Sequence, residues 1–565
     1  MSEHAMIVPR ESPPLARQLE KLFLRLDPAW DQGDTIAQLV AANAEGHVCL
    51  PQTAASRARL VRSPLVGPPG AYAPLILDAQ GRLYFARHWH DEAQLAAGLS
   101  RLAGEPDIVD AGLARVWLAR LFSAPGSDEQ KQAAALACRQ RFLVISGGPG
   151  TGKTTTVVRL LALLAVLSPR PLVMAMAAPT GKAAARLSDS VRAAREHLPV
   201  DESVQQQLPQ TAQTLHRLLG LRPGVFAPRH HAGNPLPLDV LLIDEASMID
   251  LNLMARAVDA LPPGARLILL GDRDQLSSVD AGDVLGDLCQ RVSYRPETLA
   301  WLHEACGSAP QAGAAPNRLA DCVALLSRSH RFAADSDIGE LARRVNARAA
   351  EAVLDLLDDE AHPDAGWCRD DDFAAALLAK REAYLTAAQA GEAPEALARH
   401  FAGFMLLAAE RRQVDAVNAR IESLLVERGS KDAASQWYPG RPVLITENDY
   451  GVGVFNGDIG FTVARGKGLR VVFPAAGGAW RELAPGRLPA HQTVFAMTVH
   501  KSQGSEYEEV WLLLAQDGGL DRALVYTAIT RARQRFAVSG TRAALAGAVA
   551  TERPRYSGLA DRFGG

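Results

Sequence analysis

Cysteine is scarce in this chain, aromatic residues are few, and neither sign of charge dominates. Each shortage excludes something. The six cysteines, Cys49, Cys138, Cys289, Cys306, Cys322 and Cys368, are scattered over 565 residues with no C-x-x-C pair. That argues against a zinc site and a disulfide framework, and it suits a reducing compartment. The 60 lysines and arginines nearly balance 63 aspartates and glutamates, for a formal net charge of −3. With no global basic excess, any nucleic-acid surface has to be a local groove. No apolar run reaches membrane-spanning length. Met1-Ser2-Glu3-His4 is polar and no basic-then-apolar segment follows, so a cytoplasmic protein without a signal peptide is expected.

What remains is an ordinary globular composition, 48% hydrophobic and 22% charged. The length is too great for one core and predicts roughly three or four domains. Pro9, Pro13 and Pro14 suggest a loose start. Helical spacing of apolar residues at 17–24 and 36–41, with a short hairpin at 74–78 and 82–86, predicts a mainly helical region up to about residue 125. That region carries no catalytic pattern and reads equally as a structural cap or as a docking domain. From Asp128 the pattern becomes strand–helix alternation, with short apolar strands at 142–146, 172–178, 240–243 and 267–270, as in a buried parallel sheet. Residues 305–316, rich in Gly, Pro and Ala, read as an exposed loop. A second α/β region follows, with strands at 510–514 and 535–539. Inside it, residues 438–480 alternate glycines with β-branched runs, as in a small barrel.

The most informative stretch is Gly147-Gly148-Pro149-Gly150-Thr151-Gly152-Lys153-Thr154, between an apolar strand and a helix that continues from Thr155. This is the P-loop pattern in the context it requires. Its backbone N–H groups curl toward a phosphate, and the following helix adds its positive end. Lys153 can reach the β- and γ-phosphates of ATP, and the Thr154 hydroxyl can hold Mg²⁺. Leu241-Leu242-Ile243-Asp244-Glu245 puts two carboxylates at the C-terminal end of a strand, where a parallel sheet opens its ligand crevice. Asp244 suits the metal, and Glu245 suits the base that orients an attacking water. Gly271-Asp272-Arg273-Asp274-Gln275 would bring Gln275 to the same edge. Gln130, in a helix before the P-loop strand, can offer a donor and an acceptor to adenine. Arg331, in Ser329-His330-Arg331-Phe332, and Arg531, in Tyr526-Thr527-Ala528-Ile529-Thr530-Arg531, are candidates to neutralise charge on the γ-phosphate from an opposing domain. Thr498, His500, Lys501 and Ser502 form a polar run suited to phosphate oxygens.

Taken in order, these segments resemble the motifs of superfamily 1 DNA helicases. Residues 145–153, 455–460 and 496–506 are similar to the RecD branch, the alpha subunits of exodeoxyribonuclease V (RecBCD), and the resemblance covers about residues 128–565. It implies an α/β fold of two RecA-like P-loop domains, 126–325 and 326–565, with an SH3-like β-barrel insert at 438–480 and a mainly helical N-terminal docking domain at 1–125. Residues 221–237 would be a small hairpin at the duplex fork. It implies 5′→3′ ATP-dependent translocation on single-stranded and forked DNA, in a heterotrimer with RecB and RecC and with no membrane partner. It assigns Lys153, Thr154, Asp244, Glu245, Gln275, Arg331 and Arg531 to ATP chemistry. Pro179, Thr180, Lys182, Thr214, His216, Thr498 and His500 would lie along the DNA. Stand-alone relatives carry a longer N-terminal extension with helix-hairpin-helix elements; residues 1–125 show no such repeat, so the complex-bound type is expected. A self-sufficient helicase and an ATP-regulated scaffold subunit without motor activity stand as alternatives; a relaxase-associated fragment would need a histidine cluster, and the nearest approach, His88 and His90 with Trp89 between, lacks an evident third ligand and a tyrosine pair.

Overall fold

The computed structural model describes residues 14–564, apart from 223, 226, 332–335, 369–372, 450, 467, 476–477 and 516–519. The expected loose start at 1–13 and Phe332 therefore lie outside the described residues; Pro14 itself opens a helix, Pro14–Leu26.

Four sheets organise the chain. The first strands are β1 (Cys49–Pro51), β2 (Val66–Gly67), β3 (Leu75–Leu77) and β4 (Arg82–Phe85), in the order β1-β4-β3-β2. β3 and β4 form the expected antiparallel hairpin. The region is thus helical around a small sheet, and the edge strands β1 and β2 are too short for a periodic signal.

Next come β5 (Phe142–Gly147), β6 (Met174–Ala178), β7 (Ala212–Thr214), β8 (Val240–Ile243), β9 (Arg266–Gly271) and β10 (Val323–Leu326). They form one sheet in the order β10-β5-β9-β8-β6-β7, with every pairing parallel. β5 and β8 are buried along their whole length, as helices on both faces demand. β6 begins two residues later than its apolar pattern suggested. Just before it, Val173 N turns to a side chain, donating to Asp239 Oδ2 at 2.8 Å, while Val173 O still accepts from Asp239 N at 2.8 Å.

The second parallel sheet uses β11 (Ala365–Trp367), β12 (Phe404–Ala408), β18 (Ala496–Thr498), β19 (Tyr507–Leu513) and β20 (Ala532–Ser539), in the order β11-β20-β19-β12-β18. Between β12 and β18 lies an antiparallel sheet of β13 (Pro442–Ile445), β14 (Ile459–Arg465), β15 (Gly468–Pro474), β16 (Trp480–Leu483) and β17 (His491–Thr493). This insert runs past residue 480, because β17 returns to pair with β13, Val443 opposite Thr493. β16 and β17 are short and carry polar residues, so no apolar run marks them.

The N-terminal region is joined to the first parallel sheet by a continuous core. Leu95 and Leu99 of the helix Ala86–Leu102 pack in one cluster with Met254 and Val258 of the helix Leu251–Asp259. Gly98 permits the approach, since a Cβ there would stand 2.4 Å from Val258 Cγ1. Leu559 and Phe563 from the end of the chain complete this cluster. Glu92, fully buried, accepts from Arg562 Nε at 2.8 Å and from Gly558 N at 2.9 Å. Among the described residues no helix is long and apolar enough to cross a membrane.

Candidate functional site

The P-loop joins β5 to the helix Lys153–Leu167. Gly150 and Gly152 take φ of 74° and 78°, the left-handed region that lets the loop curl. A side chain on Gly150 would collide with Arg331, its Cβ lying 2.1 Å from the Arg331 Cβ. Lys153 Nζ donates to Gly147 O at 2.5 Å and to Gly148 O at 3.0 Å, so the ammonium lies over the loop it serves. Gln130 Nε2 donates to Thr151 O at 2.9 Å. That buried amide braces the loop, and it lines neither of the two cavities that flank the P-loop.

Those cavities divide the loop between them. Gly147, Gly148, Pro149 and Thr151 border one of about 660 Å³, with Tyr526 opposite. Gly150, Gly152, Lys153, Thr154 and Thr155 border the other, about 350 Å³. Asp244, Glu245 and Gln275 close the second cavity from the same sheet, Arg531 from the second sheet, and Arg331 from the segment after β10.

Asp244 and Glu245 follow β8 directly. Glu245 holds φ of 52°, one of three non-glycine residues with positive φ among those described. The strained turn lets Glu245 N donate to Asp244 Oδ1 at 2.9 Å and puts both carboxylates on one cavity. Burial, and then the neighbouring Glu245, raise the Asp244 carboxyl to about 6. The pair is short of positive charge, which a divalent cation would supply. Among the described residues no group of three His, Cys, Asp or Glu side chains is arranged to hold a metal. Asp244 with the Thr154 hydroxyl instead fits a magnesium ion completed by substrate phosphates and water. His88 and His90 likewise lack a third ligand, which counts against the relaxase alternative.

The far side is built by the helix Arg522–Ile529 and the turn after it. Arg531, only 4% exposed, donates from Nη2 to Gln275 Oε1 at 3.0 Å and from Nε to Thr527 O at 3.2 Å. Gln275 Nε2 in turn donates to Asp272 Oδ2 at 2.9 Å, and the Tyr526 hydroxyl donates to the same oxygen at 3.1 Å. Leu276 N donates to Thr527 Oγ1 at 2.9 Å, and Gln503 Nε2 to Leu276 O at 2.9 Å. The loop after β9 is therefore the main polar seam between the two parallel sheets.

Arg331 reaches the cavity by another route. β10 leads into Ser329 and His330, whose Oγ and N donate to Pro149 O at 3.1 Å and Gly150 O at 2.7 Å. Arg331 Nη2 donates to Glu506 at 2.7 Å, while its Nη1 is buried without a hydrogen-bond partner. An orphaned guanidinium donor on this cavity suits an anionic ligand such as a γ-phosphate. Glu506 also pairs with Arg186 and, at 3.0 Å, with Arg533. Burial opposes its ionisation, but Arg186 and Arg331 outweigh it and hold the carboxyl down at about 2. Arg186, Glu506 and Tyr526 were not singled out from the sequence. Only the fold shows that Arg186 meets Glu506 and that Tyr526 meets Asp272.

The expected DNA residues divide. Pro179, Thr180, Thr214 and His216 border a single groove of about 1150 Å³. Thr180 and Thr214 cap the helices that follow them, accepting from Ala183 N at 3.2 Å and Arg217 N at 3.3 Å. Lys182 is not on that groove: its Nζ donates to Ser505 Oγ at 2.5 Å, across the seam between the sheets. Burial lowers this ammonium to about 8. Thr498 ends β18 and accepts weakly from Lys501 N at 3.4 Å. His500 borders a separate cavity of about 620 Å³ beside Arg522 and Arg555, where burial and then Arg555 push its imidazole below the usual range. Among the described residues, 221–237 contain one bridge, His231 to Asn234, and no strand.

The P-loop between β5 and its helix, with carboxylates at the end of β8, defines the class as a P-loop NTPase. Family models agree on the class. An AAA domain matches residues 130–281, and the UvrD-like helicase C-terminal domain matches 493–538. Relatives narrow it. The RecBCD enzyme subunit RecD of Mycobacterium tuberculosis (strain H37Rv) is 41% identical over 552 residues, covering 93% of this chain and 87% of that one. The RecBCD enzyme subunit RecD of Haemophilus influenzae is 36% identical, covering 87% of this chain and 81% of that one. The ATP-dependent RecD2 DNA helicase of Deinococcus radiodurans is 32% identical, covering 86% of this chain but 59% of that longer one. The chain belongs to the RecD family of DNA helicases.

Proposed function

We propose that this chain is an ATP-driven 5′→3′ motor on single-stranded DNA, working with RecB and RecC in an exodeoxyribonuclease V. The observation that carries it is the convergence on one cavity of Lys153, Glu245 and Gln275 from the first sheet, Arg531 from the second, and Arg331 from the segment that leaves β10. Residues 126–325 and 326–565 would be RecA-like domains closing on ATP. The antiparallel insert, extended to Thr493, would be the SH3-like barrel, and residues 1–125 the docking domain.

In hydrolysis Lys153 would leave the loop carbonyls for the β- and γ-phosphates. Thr154 and Asp244 would hold Mg²⁺, which neutralises phosphate charge when bound. Glu245 would orient the attacking water and accept its proton. Arg331 and Arg531 would meet the charge that develops on the transferring phosphoryl group. Because Arg531 comes from the second sheet, ATP would favour a closed cleft and hydrolysis would release it. The groove edged by Thr180, Thr214 and His216 would track the DNA phosphates.

Co-expression with RecB and RecC, followed by unwinding of substrates with a 5′ or a 3′ tail, tests the reading. The expected result is a three-chain complex in which the motor of this chain engages the 5′ tail, with ATPase stimulated by single-stranded DNA. No stimulation would remove the motor, a 3′ preference would reverse the polarity, and a chain that stays free would favour the self-sufficient helicase.

A further inference from the structure

Tyr526 precedes Arg531 in the chain, within the helix Arg522–Ile529, and only 4% of it is exposed. Its hydroxyl reaches across to the first sheet. It donates to Asp272 Oδ2 at 3.1 Å. It also stands against the P-loop, where a Cβ on Gly148 would lie 2.9 Å from it.

Asp272 directly follows β9 and is 2% exposed. Its two oxygens accept from three donors: the Tyr526 hydroxyl, Gln275 Nε2 at 2.9 Å, and Asp274 N at 3.1 Å on Oδ1. Burial raises this carboxyl above the usual range, and the Lys153 charge is the first to oppose that rise. A guanidinium can only donate, and an ionised carboxylate can only accept. Gln275 lies between one of each, with Arg531 Nη2 3.0 Å from its Oε1 and Asp272 on its nitrogen. The sense of the amide plane is therefore fixed. The backbone beside it is fixed too, since Leu276 N donates to Thr527 Oγ1 and Leu276 O accepts from Gln503 Nε2, both at 2.9 Å. What Gln275 has left to give is the second N–H of Nε2, on a side chain that borders the cavity of Lys153 and Glu245. A reversed amide would offer that cavity an oxygen, which suits no phosphate.

We propose that Asp272 and Tyr526 are positioning residues for hydrolysis: together they turn the Gln275 amide so that its remaining N–H meets the γ-phosphate. The inference deepens the reading of this cavity as the ATP site and rests on it. Tyr526 and Arg531 belong to the second sheet, Asp272 and Gln275 to the first, so the amide is set only while the two are docked. The contact Gln275 makes is thereby tied to cleft closure, although Tyr526 itself acts through Asp272 and not on the nucleotide. Without the hydroxyl the buried carboxylate loses one of its three donors and is no longer held against the amide.

The test is steady-state ATPase of the full chain saturated with oligothymidylate, for Tyr526→Phe, Gln275→Ala and the double variant. Tyr526→Phe should lower kcat about tenfold and move the ATP KM by less than about twofold. In the Gln275→Ala background the same change should alter kcat by less than about twofold, because the hydroxyl acts through that amide. Should Tyr526→Phe fail to fold, Asp272→Asn asks the same question: it can turn a donor toward Gln275, and its loss of kcat should likewise vanish in the Gln275→Ala background. A loss of equal size in both backgrounds makes the hydroxyl a support of the seam and overturns the proposal, as does an unchanged kcat or a rise in KM alone. Lys153→Gln separates this from the cavity reading. If it hydrolyses ATP at the parental rate, the cavity is not the ATP site and the proposal falls with that reading. If it is inactive while the Tyr526 loss is independent of Gln275, the proposal alone falls.

Discussion

Arg531 Nη2 donates to Gln275 Oε1 at 3.0 Å, joining the turn after the helix Arg522–Ile529 to the loop after β9. One residue comes from each parallel sheet, and both face the phosphate cavity. Burial lowers the Arg531 pKa, with Glu245 and Glu506 holding the charge.

Arg531→Lys should keep the charge but lose the fork that spans Gln275, Thr527 and Ser505. DNA-stimulated ATPase should fall by about 10²- to 10³-fold, while affinity for a fluorescent ATP analogue changes by less than about threefold. A turnover within about twofold of the parent would remove Arg531 from the chemistry.

Much of this cleft was legible because P-loop chemistry depends on contiguous residues. Gly147 to Thr154, and Asp244 with Glu245, are fixed by local backbone geometry, so their order in the chain is their order in space. β5 and β8 were readable because a strand buried on both faces is continuously apolar. The resemblance placed Lys182 along the DNA with Thr180, but a helix turns successive residues to different faces, and its ammonium meets Ser505. Glu506 with Arg186 and Arg331, and Glu92 with Arg562, are pairings across hundreds of residues. No periodicity encodes such contacts, and they needed the fold.

Glu245 pays for its position with backbone strain. A non-glycine residue at φ of 52° costs about 1 kcal/mol, which glycine avoids. Glu245→Gly should leave the chain as stable as the parent, or more stable by about 0.5–1 kcal/mol, while hydrolysis drops by at least about 10²-fold. Denaturant melts and steady-state ATPase on the same sample check both halves. A variant that is clearly less stable would mean that the side chain supports the fold more than the chemistry.

Asp287 carries a pH signature. Burial first, and Asp283 second, raise its carboxyl to about 8. An unfolded aspartate titrates near 4, so between about pH 4 and pH 8 the folded chain binds the extra proton and stability falls as pH rises. Asp287→Asn removes this term. The variant should match the parent near pH 4 and exceed it by about 1–3 kcal/mol at pH 8, read from denaturant midpoints at each pH. Equal midpoints at both ends would mean that water or rearrangement already relieves the charge.

The end of the chain closes the last argument. Glu92 is fully buried in the helix Ala86–Leu102, and Arg562 Nε, Gly558 N and Ser557 Oγ all donate to it. Arg82 reaches the same segment, donating to Asp561 Oδ2 at 2.7 Å. The final residues thus tie the N-terminal region to the first parallel sheet, and the tie depends on one carboxylate that cannot reach water. Arg562→Ala leaves that carboxylate without its countercharge and should cost about 3 kcal/mol. Glu92→Gln with Arg562→Ala together should cost less than Arg562→Ala alone, because the amide needs no cation. Limited proteolysis after each change should release residues near 551–564 first in the single variant. If the double variant is the less stable of the two, the pair is held by packing and not by charge.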